Sequence, residues 1–562
     1  MKLALEKCYF SITCLPIENC NWQSCFNLHL LNDVMRIFAE LLDRLAYTPG
    51  RNAKLGLMAR YFRSVPDPDR GWALAAMTDG LPFSFPIRRT IQDMMASRVD
   101  AELFRLSRDY VGDTAETVAL LWPHSTVPEK TPLLLHEIAE KLHHVDRTNL
   151  AGVIAEWLDR LDANGRWALL KLLTGALRVG VSSRLAKLAV AQAWQRDVAE
   201  IEELWHGLAP PYEALFSWLE GNAERPDVSG LPVFRPMMLA HPLEDPDWNA
   251  LDLSDYLVEW KWDGIRVQLV SKAGTVRLYS RTGDDISTSF PDVLNGVRLE
   301  GVLDGELLIV RDGRVAPFSD LQQRLNRKTV PKKLMAEFPS HVRLYDALEL
   351  EGVDLRGLSL TERRAQLEMW HGTTELPMMD LSEVISIPNK DVLRQLWSNT
   401  RATAIEGLML KRKASPYLAG RPKGHWFKWK RAPLTLDCVM MYAQRGSGRR
   451  SSFYSDYTFG VWRPDGAQGM ELVPVGKAYS GFTEEELMRL DRWVRNNTTE
   501  RYGPVRAVTA GLVFEVAFDS VHRSKRHKSG IAMRFPRIHR IRWDKPCEEA
   551  DTLESVVALI IE

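Results

Sequence analysis

The sequence has no apolar run long enough to span a bilayer, which argues against a helical membrane protein. Its first residues also lack the apolar core of a secretion signal: Lys2 and Lys7 are present, but Glu6, Glu18 and other polar residues interrupt them. A soluble, cytoplasmic protein is expected. An excess of charge is missing too, since 73 Lys and Arg balance 73 Asp and Glu. That excludes a simple polycation, although binding a nucleic acid needs only a basic face. Cysteine is scarce. Of the six, Cys8, Cys14, Cys20 and Cys25 crowd the start, while Cys438 and Cys547 stand alone. None forms the close C-x-x-C pair of a zinc site. Residues 1–34 are expected to be a poorly ordered extension, and Met35, which opens a new amphipathic pattern, is an alternative start of the native product.

What the sequence does have is length for roughly three or four domains. Residues 35–222 repeat apolar residues at three and four, as in Leu135, Ile138 and Leu142, and read as an all-α domain. Within it, Lys171 to Arg184 reads as a helix ending near Gly175 and another beginning after Gly180, capped by Ser182 or Ser183. Free backbone N–H groups there, with Arg178, Gly180 and Arg184, suit a phosphate; a plain helix connection is the alternative. Residues 223–250 hold five scattered Pro (226, 232, 236, 242 and 246) and read as a linker or strap. From there to 432 short strands mix with helices, one opened by Ser359 and Glu362 as a capping box; 223–432 is expected to be one α+β domain. Residues 433–562 offer strands near 436–441, 457–462, 472–475, 513–518 and 538–543, with a helix opened by Thr483-Glu484-Glu485-Glu486. That set fits a small OB-type β-barrel.

The chain is organised around Glu259-Trp260-Lys261-Trp262-Asp263-Gly264-Ile265-Arg266. Strand patterns on both sides put Lys261 where a strand ends at a tight turn. Tryptophans and arginines around it are expected to ease loss of its proton through desolvation and like-charge repulsion, making it a candidate covalent nucleophile. K-x-D-G alone fits an ordinary surface hairpin equally well. Further features follow. Arg281 sits in a turn, and Asp304 and Glu306 share one face of an apolar strand, a costly placement unless they are paired or bind a cation. Tyr345 offers a ring, Glu406 a second buried acid, and Lys428 and Lys430 one cationic strand face. Salt bridges, a core tyrosine and a solvated edge are the plain alternatives to each. Together they describe a nucleophilic amine, a ring clamp, carboxylates for Mg²⁺ and cations for phosphate, which suits nucleotidyl transfer.

This series resembles the nucleotidyltransferase motifs of ATP-dependent DNA ligases, and the resemblance reaches Met533-Arg534-Phe535-Pro536-Arg537 and Asp544-Lys545 near the C-terminus and Leu177-Arg178-Val179-Gly180 in the helical part. It is nearest to the bacterial three-domain type. By that resemblance the fold is a helical DNA-binding domain, an ATP-grasp-like ligase domain and an OB-fold, and the enzyme seals nicks in repair, recombination or replication, working as a monomer. Lys261 would form lysyl-AMP from ATP. Glu259 would contact adenine and Tyr345 stack on it, where many relatives have phenylalanine. Arg266 and Arg281 would hold the ribose and phosphate region, with Lys411 and Arg421 near the nucleotide. Glu306 and Glu406 would hold Mg²⁺ (or Mn²⁺), and Lys428 and Lys430 would neutralise the α-phosphate. Arg178, Gly180, Arg184, Arg534, Arg537 and Lys545 would contact DNA or pyrophosphate, with nicked duplex DNA as partner and a hinge near Lys430-Arg431-Ala432-Pro433. The basic loop 522–528 has no catalytic role by the resemblance and reads as a grip on DNA backbone or a solvated loop. An RNA ligase or capping enzyme, and a non-enzymatic DNA-binding relic, are the rival readings.

Overall fold

The computed structural model describes residues 34–81, 87–123, 133–146, 149–175, 177–374, 376, 378–399, 404–446, 452–466, 469–524 and 527–560. The four N-terminal cysteines, and Lys525 and Arg526 of the basic loop, lie outside the described residues.

Helices run from Val34–Tyr47 to Glu213–Leu219. In the first, Val34, Met35, Phe38, Leu41, Leu42 and Leu45 are buried, the spacing of one helical face. Such faces close over one core containing Phe38, Phe62 and Phe216. Local chemistry sets the boundaries: the side chains of Asp100, Asp113, Asp162 and Ser182 each accept an N–H of the turn they cap.

The proline-rich stretch after residue 222 is a packed strap. Its prolines cannot donate to a sheet interior, but Phe234, Met237 and Met238 are buried against Tyr279, Tyr417 and Trp426. His241–Pro242 then adds a short parallel strand to Trp426–Lys430.

Two sheets follow. One has the order His241–Pro242, Trp426–Lys430, Ile405–Arg412, Tyr256–Trp262, Val384–Ile385. The other runs Thr275–Ser280, Ile265–Lys272, Gly301–Arg311, Ser340–Leu350, Val353–Asp354, with short strands on its flanks. Lys261 therefore does not sit in a hairpin. The strands on either side of Asp263-Gly264 belong to different sheets, and the turn is the crossing between them. Gly264 allows this crossing, since a Cβ there would stand 2.5 Å from the Leu307 carbonyl oxygen. Beneath the second sheet, helix Leu360–Gly372 carries the Ser359–Glu362 capping box and anchors itself through Arg363, whose Nε and Nη2 donate to Asp346 at 2.8 and 2.9 Å. Both side chains are fully buried. Arg363→Met should leave Asp346 as an uncompensated buried charge and cost about 3–5 kcal/mol, read as a lower midpoint in denaturant unfolding.

In the C-terminal part, strand Leu434–Arg445 pairs with three neighbours. The two outer strands approach where Ile538 N–H donates to the Ser480 carbonyl at 3.1 Å, closing a barrel around Tyr457, Phe459, Phe514 and Phe518. Thr483 and Glu486 cap helix Glu484–Asn496 reciprocally. Thr498–Tyr502, Val505–Val508, Ser520–Arg523 and Ile531–Arg534 are strands that the sequence pattern did not reveal. Most of Thr498–Tyr502 is exposed, so no alternation marks it. Among the described residues, no helix is long and apolar enough to cross a membrane.

Candidate active site

Lys261 lies opposite Gly407 in the antiparallel pair of Tyr256–Trp262 with Ile405–Arg412, where the register shifts between Ile405 and Gly407. Such an irregularity re-aims a side chain, and here it turns Glu406 onto the lysine. Gly407 must be glycine: its φ is +149°, and a Cβ would stand 2.1 Å from the Trp429 carbonyl oxygen.

Lys261 Nζ donates to Glu406 Oε2 at 2.5 Å, and Lys430 Nζ reaches the same oxygen at 3.0 Å. The nearest charge to the amine is thus a carboxylate, and the expectation of crowding cations is corrected. The extra residue of the bulge, invisible to strand alternation, is the reason. Burial works to raise the Glu406 carboxyl, but Lys261 and then Lys430 outweigh it and hold it well below the usual range.

Glu306 differs. Among the described residues its carboxylate makes no hydrogen bond or ion pair. Burial pushes it up to about 7, with Glu406 and Asp263 adding to the rise and Lys261 and Arg266 opposing it. Its strand neighbour Asp304 is satisfied by Arg266 Nη2 at 2.7 Å and the Tyr417 hydroxyl at 2.6 Å. Arg266, expected at the ribose, also donates through Nη1 to the Met238 carbonyl at 2.5 Å, while its buried Nε has no hydrogen-bond partner among the described residues.

Glu259 and Lys411 are both 2% exposed and joined by a 2.7 Å bond to Glu259 Oε2; Arg364 Nη1 stands 3.8 Å from the other oxygen. The Lys411 ammonium lies 3.9 Å from the Tyr345 ring centroid, so this ring already faces a cation. Arg281, Arg421, Lys428 and Lys430 gather at the mouth. Burial and then Arg421, Lys430, Arg281 and Lys261 push the Lys428 ammonium down. Burial, then Arg266 and Arg421, do the same to Arg281. Such a concentration of cations suits a polyanion.

The sequence reading missed the role of Asp263. Its carboxylate forms an ion pair with Arg534 of the C-terminal barrel. Burial raises the Asp263 carboxyl, Arg534 opposes this, and Glu406 adds to it. The Arg534 guanidinium also stacks 4.1 Å from the Phe318 ring centroid. Arg537 and Lys545 do not reach the site in this arrangement. They pair within the barrel, with Asp519 at 3.5 Å and Asp437 at 2.7 Å. Tyr417 was also missed, because it falls in an irregular stretch that no periodicity marks.

Arg178, Gly180 and Arg184 cluster in the helical region, with Arg184 reaching the loop that carries Gly420. Ser182 accepts from Leu185 N–H at 3.3 Å and caps helix Ser183–Ala193. Arg178 (φ +50°) and Gly180 (φ +67°) shape the approach. Lys54, not foreseen, donates to the Val179 and Gly180 carbonyls at 2.5 and 3.1 Å. A cavity of about 580 Å³ opens beside Arg51, Lys54, Ser182 and Arg184.

Among the described residues no group of three or more His, Cys, Asp or Glu is arranged to hold a metal ion. Two carboxylates, one of them unpaired and raised, suit an ion that takes few protein oxygens and keeps waters and phosphate oxygens, the habit of Mg²⁺.

Family models described as DNA ligase N terminus, ATP dependent DNA ligase domain and ATP dependent DNA ligase C terminal region match residues 35–191, 237–430 and 450–545. A probable DNA ligase of Koribacter versatilis (strain Ellin345) is 33% identical over 560 residues, covering 92% of this chain and 95% of that protein. DNA ligase 1 of Korarchaeum cryptofilum (strain OPF8) is 30% identical over 543 residues, covering 93% and 97%. The solved structure Pmar-Lig_PreS3 covers 90% of this chain and 99% of its own at 16% identity with a TM-score of 0.56, a likeness of fold.

Proposed function

The chain belongs to the ATP-dependent DNA ligase family, and from that premise we propose that Lys261 is the residue that carries AMP from ATP to the 5′-phosphate of a nick in duplex DNA. The observation that carries this reading is the placement of Lys261 at the crossing between two sheets, its amine 2.5 Å from Glu406 and within the field of Lys428 and Glu306.

Residues 35–222 serve as the DNA-gripping part, 223–432 as the adenylating part and 433–562 as the barrel that closes over it. The Lys261 lone pair attacks the α-phosphorus of ATP. A P–N bond forms, the bond to the bridging oxygen breaks, and pyrophosphate leaves with the electron pair. Lys261 first gives up a proton to water, and its lone pair must turn from Glu406 towards phosphorus, so attack requires that pairing to part. Glu259 accepts from the adenine amino group, Tyr345 lies along the ring, and Arg266 and Arg281 hold the ribose and phosphate region. Lys411 supports Glu259, while Arg421, Lys428 and Lys430 offset charge as phosphorus becomes crowded. Glu306 and Glu406 would hold Mg²⁺, which when bound supplies further positive charge at the phosphate oxygens. AMP then passes to the DNA 5′-phosphate, and the 3′-hydroxyl displaces it with formation of the phosphodiester. Arg178, Gly180 and Arg184 take DNA phosphates, and Arg534, Arg537 and Lys545 take pyrophosphate or DNA as the barrel moves. The enzyme works as a monomer in the cytoplasm.

Intact mass after incubation with ATP and Mg²⁺, followed by addition of nicked DNA, tests this reading. One AMP adduct, discharged with sealing, is the expected result; discharge only by RNA ends, or no adduct on fully deadenylated protein, would overturn it.

The raised Glu306 carboxyl adds a pH signature. It is ionised above about 7 and protonated below. A metal competes with that proton, so the Mg²⁺ concentration needed for half-maximal adenylation should rise as pH falls from about 8 to about 6. Glu306→Gln, which has no proton to lose, should flatten this dependence while weakening Mg²⁺ use at all pH.

A further inference from the structure

Two loops of the nucleotide site, those of Arg281 and Arg421, are each touched by the helical region. We propose that helix Val198–Leu204 with its following turn Trp205–Gly207 is a positioning element of the nucleotide site, through His206 and Glu203, so that the helical region raises ATP affinity before any DNA is bound. This rests on the assignment of Arg266, Arg281 and Arg421 to ATP.

His206 meets the Arg281 loop. Its ring lies 4.7 Å from the Tyr279 ring, tilted by 49°, and 5.6 Å from Phe234. The loop backbone is pressed against it: Gly283 has φ +88°, and a Cβ there would stand 3.0 Å from His206 Nε2. The loop is otherwise internally tied, with Ser280 Oγ donating to Asp284 at 3.0 Å, so it moves as a unit with whatever abuts Gly283. Burial pushes His206 down to about 4, with Lys187 adding to the fall and Asp285 and Asp284 opposing it. At neutral pH the ring therefore packs uncharged.

Glu203 reaches the site by a second route. Its carboxylate accepts from Arg356 Nη1 at 2.7 Å. The Arg356 carbonyl accepts the Tyr417 N–H at 2.8 Å. The Tyr417 hydroxyl in turn bonds Asp304 at 2.6 Å and accepts from Arg266 Nη2 at 3.1 Å. Each link is a direct contact, so an unbroken chain of hydrogen bonds joins the helix to Arg266. Arg184, paired with Glu202 of helix Val198–Leu204 at 3.2 Å, lies beside the loop of Arg421, its Nη2 3.7 Å from where a Gly420 Cβ would stand.

The test uses the full chain, deadenylated, without DNA, following lysyl-AMP formation across ATP concentration. His206→Ala should raise KM for ATP about 5- to 20-fold, within the range of measured site couplings, with kcat within about twofold. His206→Phe, which keeps the ring, should restore KM. Glu203→Ala should raise KM, while Glu203→Gln, which keeps an acceptor for Arg356, should raise it less. Sealing of a pre-adenylated nick at saturating DNA should change by less than about twofold in all four, because the DNA itself tethers that AMP to the site. Thermal unfolding of the Glu203 variants, whose side chain is partly buried, separates misfolding from misplacement. A wild-type KM in His206→Ala, or a raised KM that His206→Phe does not restore, would overturn the proposal. Failure of the wild-type protein itself to take AMP would instead refute the ligase reading.

Discussion

Lys261→Ala is expected to take up no AMP from ATP, and yet to seal a nick whose 5′ end already carries AMP. Loss of a covalent nucleophile removes the step it performs, an effect on the order of 10⁶ in rate where it has been measured. Joining a pre-adenylated nick needs the cations and carboxylates but not the amine. The substitution leaves Glu406 with Lys430, 3.0 Å away, so its charge remains compensated and the site should hold its shape. Mass spectrometry reads the first result and a gel-based sealing assay the second. Loss of both would mean that Lys261 shapes the site; retention of the adduct would place the nucleophile elsewhere.

Arg534→Ala should produce a different split. Its guanidinium pairs with Asp263, one side chain away from Lys261 and Glu406, and couples the barrel to the turn between the two sheets. Adenylation has pyrophosphate as leaving group and needs a cation there. On the proposed reading the later steps place DNA in that space and the barrel withdraws. Removing one preorganised donor of this kind typically costs about 10²–10³ in rate. Self-adenylation of Arg534→Ala should fall by about that factor, while sealing of a pre-adenylated nick falls much less. Asp263→Asn should move in the same direction, because it removes the anchor that holds the arginine. Burst kinetics on each substrate distinguish the steps. An equal fall in both would assign the pair to general stability, and the hinge at residues 430–433 would lose its support.

The strand position of Lys261, and of most of the charged groups that the fold gathers beside it, was legible from residues alone. Lys261, Glu306, Glu406, Lys428 and Lys430 stand on strands whose apolar alternation is written locally, and a charge inside an apolar strand is conspicuous wherever it occurs. Helix boundaries at Ser182, Ser359 and Thr483 were equally legible, because a cap is satisfied within a few residues of itself. What is paired with what was not. The bulge that aims Glu406, the spending of Arg266 on Asp304 and Tyr417, and the Lys411 ammonium over Tyr345 all depend on a second strand or loop arriving from elsewhere.

Residue type and local spacing set the class of chemistry and the order of the three parts, since hydrophobic period, capping and residue type act over one or two turns of chain. Tertiary structure decided the rest. It sent the strand after Gly264 into a different sheet, so that Lys261 meets Glu406 at the crossing of two sheets rather than lying on a hairpin surface. It brought Arg534 to Asp263 across 271 residues, and His206 to Gly283 from a different region. Contacts of that length are chosen by how preformed faces bury their apolar surface against one another, and no local pattern encodes that choice.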